Sequence, residues 1–229
     1  MHAGRGRLRG NGRYTDADER SLVFAAQPWV GSMSFYSQEE LELLGFRRLG
    51  RHVLLSRRAA IHGAPRISIG DETRIDDFCL ISAGEGGVEI GAHVHLAVMS
   101  SLIGKASIVI GDYCGVSGKA SIYSSSDDFS GEWMTNPTLP AIYTNVQSAP
   151  VILHRHAVMG AGAVALPGTV LGEGAILGAL SLAKGELAPF WIHGGTPAHP
   201  LRERSRRLLE LEHEFTTRQS AGTTDGARL

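Results

Sequence analysis

Aliphatic residues recur at every sixth position through the second half of the chain. The series comprises Leu153, Met159, Ala165, Leu171, Leu177 and Ala183. A glycine follows several of these residues, and small residues stand four places after them, at Ala163, Thr169, Ala175 and Ser181. A fixed period of six is typical of a repeat architecture, in which each hexapeptide is a short extended face followed by a tight turn. The pattern predicts a mainly β solenoid in which three six-residue segments close one coil.

The same register occurs upstream in three shorter groups, each opening with an Ile-Gly pair. The groups are Ile69, Ile75 and Ile81; Ile90, Leu96 and Leu102; and Ile110, Val116 and Ile122. The aliphatic residues are expected to fill a triangular prism, with the small residues near its corners. Glycines would supply turn conformations that cost other residues energy. Stacked coils would pair in parallel and bury a continuous core, whereas the scattered strands of an α/β protein would not repeat in phase.

Non-repeating segments flank and interrupt the predicted coil. Residues 37–40, Ser-Gln-Glu-Glu, have the form of a capping box and predict a short N-terminal helix through Leu44, ended by Gly45. An apolar stripe predicts a C-terminal helix over residues 202–215. The polar stretch from 123 to 150 does not fit the repeat, so one long excursion loop is expected there, and such loops are commonly functional.

These segments divide the chain into one domain and two tails. Residues 33–215 are expected to form the β-helix domain, because the periodic pattern and its helical caps lie within them. Residues 1–32 and 216–229 lack periodicity and are expected to be a disordered N-terminal extension and a disordered tail.

Composition narrows the classes of partner and compartment. A formal net charge of −1 over 229 residues gives no reason to expect nucleic acid or an anionic membrane as a partner. No run of about 18 apolar residues is present, so no membrane span is expected. Cys79 and Cys114 stand among apolar residues, which predicts buried free thiols and hence a cytoplasmic protein.

Four segments give the chain a resemblance to a known family. They are Met33-Ser34-Phe35-Tyr36-Ser37, Ile75-Asp76-Asp77-Phe78, the loop residues 121–132, and Met134-Thr135-Asn136-Pro137. With the six-residue repeat, they resemble the hexapeptide-repeat acyltransferases, and among these the dTDP-4-amino-4,6-dideoxyglucose N-acetyltransferases. The resemblance covers about residues 33–215. It implies a left-handed parallel β-helix, a homotrimer, acetyl-CoA as the acyl donor and a nucleotide-linked amino sugar as the acceptor.

The excursion loop carries the first candidates for catalysis. The related galactoside and maltose O-acetyltransferases have a catalytic His followed by Pro, where this chain has Ser126-Asp127-Asp128. A sugar hydroxyl needs a strong base, whereas a neutral amine is already nucleophilic. The replacement therefore favours N-acylation, with Asp127 or Asp128 accepting the proton or binding the ammonium. The alternative is that one of the two caps a turn, as Asp often does.

His95 is the candidate base outside the loop. His93 and His95 alternate with Val94, which predicts that the two histidines share one face, and His95 immediately precedes the inward Leu96. A solvated surface His is the alternative. A zinc carbonic anhydrase of the same fold would need three converging His, and no third partner for His93 and His95 is evident, so no metal is expected.

The donor site follows mainly from the resemblance. It implies that CoA lies extended along late coils, against the small residues Gly160, Ala161, Gly162 and Ala179. Lys184 and either Arg202 or Arg204 correspond to basic groups that hold its phosphates, and both types of side chain suit phosphate. The alternative for the arginines is a solvated face of the predicted C-terminal helix. A backbone N–H between Gly115 and Gly118 is the candidate for binding the oxyanion.

Three functions stay open from the sequence. The first is N-acetylation of a nucleotide-linked amino-deoxysugar. The second is O-acylation of a saccharide or glycolipid hydroxyl. The third is a β-helix scaffold without turnover, against which the retained donor-site residues speak.

Overall fold

The computed structural model of the chain describes residues 34–225, within which short β-strands dominate. Residues 1–32, the predicted disordered extension, lie outside the described residues, as do 226–229. Successive strands are laid in turn on three sheets, so that each circuit of the chain adds one strand to each sheet. The result is a parallel β-helix of about seven coils, which confirms the predicted fold class.

The strands are numbered along the chain and grouped by sheet. Sheet 1 contains β1 (Arg48–Leu49), β4 (Ile67–Ile69), β7 (Val88–Ile90), β10 (Ile108–Ile110), β15 (Val151–Leu153), β18 (Val170–Leu171) and β21 (Glu186–Leu187). Sheet 2 contains β2 (Leu54–Leu55), β5 (Arg74–Ile75), β8 (His95–Leu96), β11 (Gly115–Val116), β16 (Val158–Met159), β19 (Ile176–Leu177), β22 (Trp191–Gly194) and β23 (His199–Glu203). Sheet 3 contains β3 (Ala60–His62), β6 (Leu80–Ala83), β9 (Ser101–Gly104), β12 (Ser121–Tyr123), β17 (Val164–Ala165) and β20 (Leu182–Ala183).

The six-residue series forms the core of the prism. On sheet 2, Ile75, Leu96, Val116, Met159 and Leu177 pair from coil to coil in one inward column, and all are buried. The corresponding columns on sheets 1 and 3 begin at Ile69 and Ile81 and are buried as well. The predicted assignment of the aliphatic positions to the interior is therefore confirmed.

The chain turns at three corners per coil, named here after the sheets they join. In the first coil, corner 1–2 spans residues 50–53, corner 2–3 spans 56–59 and corner 3–1 spans 63–66. Left-handed backbone (φ between 55° and 64°) recurs at corner 1–2, at His52, Glu72, His93, Tyr113, His156, Gly174 and Phe190. Most of these are not glycine, and each costs conformational energy that the neighbouring coils must offset.

The glycine after each aliphatic residue has a different purpose from the predicted one. Gly70 does not adopt left-handed backbone, but a Cβ there would lie 2.5 Å from the carbonyl carbon of Gly91 in the next coil. At Gly160 a Cβ would lie 2.4 Å from the backbone nitrogen of Ala179. These glycines are required by the close approach of two backbones rather than by turn conformation, which corrects the interpretation from the sequence.

Helix α1 (Gln38–Leu43) covers the N-terminal end of the coil. The Ser37 side chain accepts a hydrogen bond from the Glu40 backbone at 3.2 Å, and the Glu40 carboxylate accepts one from the Ser37 backbone at 2.7 Å. The predicted capping box is thus confirmed. Leu41 is fully buried and extends the core past the first coil, so α1 shields the open end of the prism.

The prediction for the C-terminal segment was wrong at both ends of the helix. Residues 202 and 203 belong to β23, which pairs antiparallel with β22 and so satisfies the edge of sheet 2. Helix α2 is Arg207–Asp225, so it begins later than residue 202 and continues well past 215. The predicted start of a disordered tail at 216 was therefore placed too early.

Contacts with corner 1–2 hold α2 in place. His93 stacks on Tyr113 and Tyr113 on His156, with ring centroids 5.0 and 5.1 Å apart. Phe215 meets the His93 ring edge-on at 5.4 Å. Glu212 pairs with Arg155 and with His156, whose Nε2 lies 2.6 Å from a carboxylate oxygen. These contacts hold α2 against the outside of the prism at corner 1–2.

The predicted excursion is present and lies between the fourth and fifth coils. Its base is a two-stranded antiparallel ribbon of β13 (Ser125–Ser126) and β14 (Gln147–Ser148). A 3-10 turn occupies Ala141–Tyr143, and Met134 forms a bridge with Thr144. The loop is therefore closed at its base and positioned by the coils on either side.

The inward columns generate a stability prediction. Leu102 is fully buried between Ile81 and Ile122, so Leu102→Ala should lower the free energy of unfolding by about 2–5 kcal/mol, because a cavity remains. Leu54→Ala, at an outward position that is 43% exposed, is the control and should cost about 1 kcal/mol or less. Urea unfolding followed by circular dichroism measures both, and equal losses would contradict the assignment of the core.

Candidate active site

The acidic pair of the excursion loop lines a cavity beside the late coils. Asp127 and Asp128 follow β13 directly and are half-buried. The cavity has a volume of about 360 Å³ and is also lined by Leu166, Pro167 and Lys184. Leu166 follows β17 and Lys184 follows β20, so the cavity lies at corner 3–1. The fold thereby brings two predicted catalytic candidates together with a predicted donor-site lysine.

The two neighbouring aspartates have different surroundings. One carboxylate oxygen of Asp128 accepts a hydrogen bond from the Ser130 backbone at 2.7 Å, and the other accepts one from the Asn145 side chain at 2.8 Å. The hydrogen bonds from Ser130 and Asn145 lower the pKa of Asp128, which makes it a weak base. Within the described residues the carboxylate of Asp127 has no hydrogen-bond partner. Asp127 is therefore the member of the pair that can engage a ligand.

His95 lies on the outer face of sheet 2, apart from this cavity. Its Nε2 lies 2.8 Å from one carboxylate oxygen of Asp76, whose other oxygen accepts a hydrogen bond from Arg74 Nε at 2.7 Å. The guanidinium of Arg74 stands over the Phe35 ring at 5.5 Å. Asp76 thus fixes the ring of His95 and leaves its second nitrogen available.

The prediction that His93 shares a face with His95 was wrong. His93 adopts the left-handed backbone of corner 1–2 and stacks on Tyr113 under α2. Alternation of side chains holds only within a strand, and β8 begins at His95. His93 is accordingly part of the helix-docking surface.

The predicted donor residues are distributed over two corners and the end of sheet 2. Gly160, Ala161, Gly162 and Ala179 lie at corner 2–3, where Ala161 and Ala179 are exposed. A Cβ at Gly162 would lie 2.8 Å from the Leu180 side chain, so Gly160 and Gly162 have packing reasons of their own. In the fifth and sixth coils this corner consists of Gly160–Ala163 and Gly178–Ser181, which have no charged side chain, so a thin extended ligand could approach the backbone there.

The two basic candidates lie nearer the C-terminal end. Lys184 is exposed at corner 3–1 and lines both the 360 Å³ cavity and a second one of about 520 Å³. Trp191 and Pro197 contribute to the second cavity. Arg202 is exposed on β23 opposite Ile192. Neither basic residue forms an ion pair with an acidic residue in the described part of the chain, so both remain available to an anion.

Sequence reasoning missed the small-residue floor of sheet 2. The outward positions next to His95 are all small: Gly115 lies opposite it in β11, Ala97 directly follows β8, and Ser117 directly follows β11. Ser117 stands beside Gly160, because its backbone nitrogen donates to the carbonyl of Met159. The signal available in the sequence was the recurrence of small residues at outward positions in successive coils. This row of small residues, called the trough here, runs from Gly115 beside His95 to Ala97 and Ser117 at corner 2–3.

Comparison with known proteins places the chain among sugar acyltransferases. It is 45% identical over 183 residues to the dTDP-4-amino-4,6-dideoxy-D-glucose acyltransferase of Escherichia coli, covering 80% of this chain and 95% of that relative. The chain belongs to this acyltransferase family. The resemblance seen in the sequence is thereby confirmed. No protein-family model matches the chain.

Solved structures of similar proteins share the fold. AntD, an N-acyltransferase from Bacillus cereus solved in complex with dTDP and 3-hydroxybutyryl-CoA, is 40% identical, with a TM-score of 0.79 over 82% of this chain and 98% of AntD. A serine-to-alanine mutant of AntD, solved with dTDP-4-amino-4,6-dideoxyglucose and coenzyme A, has a TM-score of 0.78 at 40% identity, over 80% of this chain and 98% of that one. A hexapeptide-repeat acetyltransferase from Vibrio cholerae, at 18% identity and a TM-score of 0.50 over 76% of this chain and 84% of its own, shares the fold.

Two further observations describe this acyltransferase. Within residues 34–225, no three His, Cys, Asp or Glu side chains are grouped so that they could hold a metal ion. Neither helix of that part of the chain is long and apolar enough to cross a bilayer.

The hydrogen bonds of Asp128 generate a prediction about the loop. Asp128→Ala should speed hydrogen–deuterium exchange across residues 127–146, because it removes the hydrogen bonds that the Asp128 carboxylate accepts from Ser130 and from Asn145. Since the pKa of Asp128 is lowered in the folded state, the wild-type protection is complete above the ordinary pKa of aspartate. It is lost as the pH falls through the folded value. Asp127→Ala is the matched control and should leave exchange unchanged; equal acceleration would contradict the distinction.

Proposed function

We propose that the protein transfers an acyl group from acyl-CoA to the amine of a dTDP-linked 4-amino-4,6-dideoxysugar. The observation that carries the proposal is the 45% identity to a dTDP-4-amino-4,6-dideoxy-D-glucose acyltransferase over 95% of that enzyme. AntD, solved with this amino sugar and coenzyme A, supports the same acceptor and donor. Acetyl-CoA is the donor proposed for this chain.

The chemistry needs a proton acceptor for the attacking amine. The amine nitrogen forms a bond to the thioester carbon, its proton passes to the Asp127 carboxylate, and the carbon–sulfur bond then breaks to release CoA thiolate. Asp127 suits this role because it is half-buried, lines the loop cavity and has no hydrogen-bond partner among the described residues. Asp128 instead holds the loop. His95, oriented by Asp76, is the second candidate for contacting the acceptor.

The oxyanion that forms on the carbonyl needs a free donor. The backbone nitrogens of Gly115 and Ser117 donate to the carbonyls of Ala157 and Met159, so coil pairing occupies them. Gly118 N–H has no acceptor among the described residues and lies at corner 2–3, beside the trough. It is therefore the proposed donor to the oxyanion.

The donor would extend along the small residues of corner 2–3 with its phosphates near the C-terminal end. Gly160, Ala161, Gly162 and Ala179 offer backbone that a narrow pantetheine arm can approach. Lys184 and Arg202 are exposed cations suited to the phosphates. Lys184 and Asp127 lie at corner 3–1, whereas the small residues and Gly118 lie at corner 2–3, so a complete site would draw on two subunits.

A homotrimer supplies that arrangement. Phe78, Val98, Met99 and Leu180 are exposed along corner 2–3, and Phe129, Trp133, Met134, Ile142 and Tyr143 are exposed on the excursion loop. Exposed apolar residues on both segments favour association, and cyclic symmetry repeats one such interface. The proposed location is the cytoplasm, in keeping with the unpaired, buried Cys79 and Cys114, whose thiol pKa values burial raises, that of Cys114 to about 12.

The first test is a thiol-release assay with acetyl-CoA. dTDP-4-amino-4,6-dideoxyglucose, its 3-amino isomer, the GDP-linked amino sugars and the 4-hydroxy counterparts serve as acceptors. We expect turnover of the dTDP-linked 4-amino sugar, with a kcat/KM at least about 10³-fold above the 4-hydroxy sugar, because a neutral amine needs less activation. Preferential turnover of the hydroxy sugars would support O-acylation instead. The absence of thiol release with acetyl-CoA and with longer acyl donors would support the scaffold hypothesis.

Asp127→Asn tests the base. It should lower kcat about a hundredfold with little change in the KM of either substrate, because the amide cannot accept the amine proton. Glu132→Gln is the matched control: it removes another negative charge from the exposed part of the same loop and should retain activity. Full activity of Asp127→Asn would exclude it as the base and turn attention to His95.

A further inference from the structure

Gly115 is a glycine that the folded chain itself does not require. Its backbone is not left-handed, and a Cβ there would lie 3.9 and 4.0 Å from the two methyl carbons of Val158, an ordinary contact. The other two glycines in the described strands are different: Gly104 has a φ of +150°, and a Cβ at Gly194 would lie 2.9 Å from Leu201. Alanine would therefore fit at 115 in the isolated subunit.

A glycine inside a strand lowers stability, because the unfolded chain gains freedom and no side chain packs. Such a residue commonly marks a bulge, a sharp bend or the close approach of a ligand or another backbone. The pairing of β11 with β8 and β16 is regular, with Gly115 opposite His95 and Val158. A bulge is thereby excluded, and the space above Gly115 is left for something outside the chain.

The missing side chain creates a notch in the outer face of sheet 2. His95, held by Asp76, stands on one side and the half-buried Val158 on the other. Ala97 and Ser117 form its small-residue border toward corner 2–3. The notch therefore has one apolar wall, one polar rim and the depth of the single side chain that Gly115 lacks.

The position of the notch favours the acyl group as its occupant. Ser117 adjoins Gly160, so the small-residue floor continues from the notch into the corner proposed for the pantetheine arm. The thioester is at the tip of that arm, and a short apolar acyl chain matches the Val158 wall. A nucleotide sugar, in contrast, is large and carries a charged diphosphate, which so small and partly apolar a recess cannot accommodate.

We propose that the acyl chain of the donor lies in the notch at Gly115 and that residue 115, with Val158 opposite, sets the length of acyl chain that is accepted. This inference rests on the proposed acyltransferase function. Alanine at 115 shortens the notch, whereas alanine at 158 deepens it, so the two substitutions change donor selectivity in opposite directions.

The test compares acetyl-CoA with butyryl-CoA in the full-length protein, using dTDP-4-amino-4,6-dideoxyglucose as acceptor. Gly115→Ala should lower the ratio of kcat/KM for butyryl-CoA to that for acetyl-CoA about tenfold or more, the usual cost of misfitting a methylene group. Val158→Ala should raise the same ratio. Val109→Ile adds a methylene group to an outward position of sheet 1 in the same coil and should leave the ratio unchanged.

Stability and binding measurements separate the possible failures. Gly115→Ala should melt at or above the temperature of the wild type, because its backbone accepts alanine. Titration calorimetry with butyryl-CoA and with free CoA should show that Gly115→Ala weakens the former only, a result that does not depend on turnover. If the wild-type protein turns over no donor, the proposed function fails. The calorimetric comparison of butyryl-CoA with free CoA still tests whether the acyl chain binds at Gly115.

Two results would overturn the inference. An unchanged donor ratio with a raised KM for the amino sugar would mean that the acceptor occupies the notch. A change in oligomeric state of Gly115→Ala by light scattering would mean that a neighbouring subunit's backbone lies there.

Discussion

Stacking of one coil on the next is the constraint on which the rest of this structure depends. Backbone N–H groups of each coil donate to carbonyls of the following coil, as Arg74 does to Val94 and His95 to Cys114. This pairing fixes the spacing between coils at about 4.8 Å. A position repeated every coil therefore meets the same surroundings each time. Inward positions must be aliphatic, and Gly70 and Gly160 must lack a Cβ because the next backbone would lie only 2.5 and 2.4 Å from it.

That repetition explains what the sequence alone could predict. Periodic surroundings impose a periodic sequence, so the inward columns through Ile75 and Leu102 are evident from the spacing of aliphatic residues. The capping box at Ser37 was equally evident because its partners are three residues apart. The start of α2 was not evident, because Arg202 joins a strand only through pairing with β22 across a turn. His93 was misassigned for a similar reason: the left-handed corner interrupts the alternation that His95 obeys.

The candidate site was predicted less completely than the fold. Asp127 and Lys184 are far apart in the chain and line one cavity, a proximity that the repeat alone does not reveal. The trough on sheet 2 was missed because Gly115 looks in the sequence like any of the glycines that stacking demands. It differs only in the space around its Cβ position, which is sufficient for alanine. In a solenoid, a residue that stacking does not explain is the better indicator of function.

The loop shows how an interruption of the stacking can be used for chemistry. The coils present outward side chains such as His95 and Asp76 only at positions that the pairing fixes. The excursion between the fourth and fifth coils removes that restriction, and hydrogen bonds from Ser130 and Asn145 to Asp128 give the loop its shape. Asp128 is thereby committed to structure with a lowered pKa, while the adjacent Asp127 lines the cavity with no hydrogen-bond partner for its carboxylate among the described residues. Two identical side chains so placed are suited to different roles because their surroundings differ.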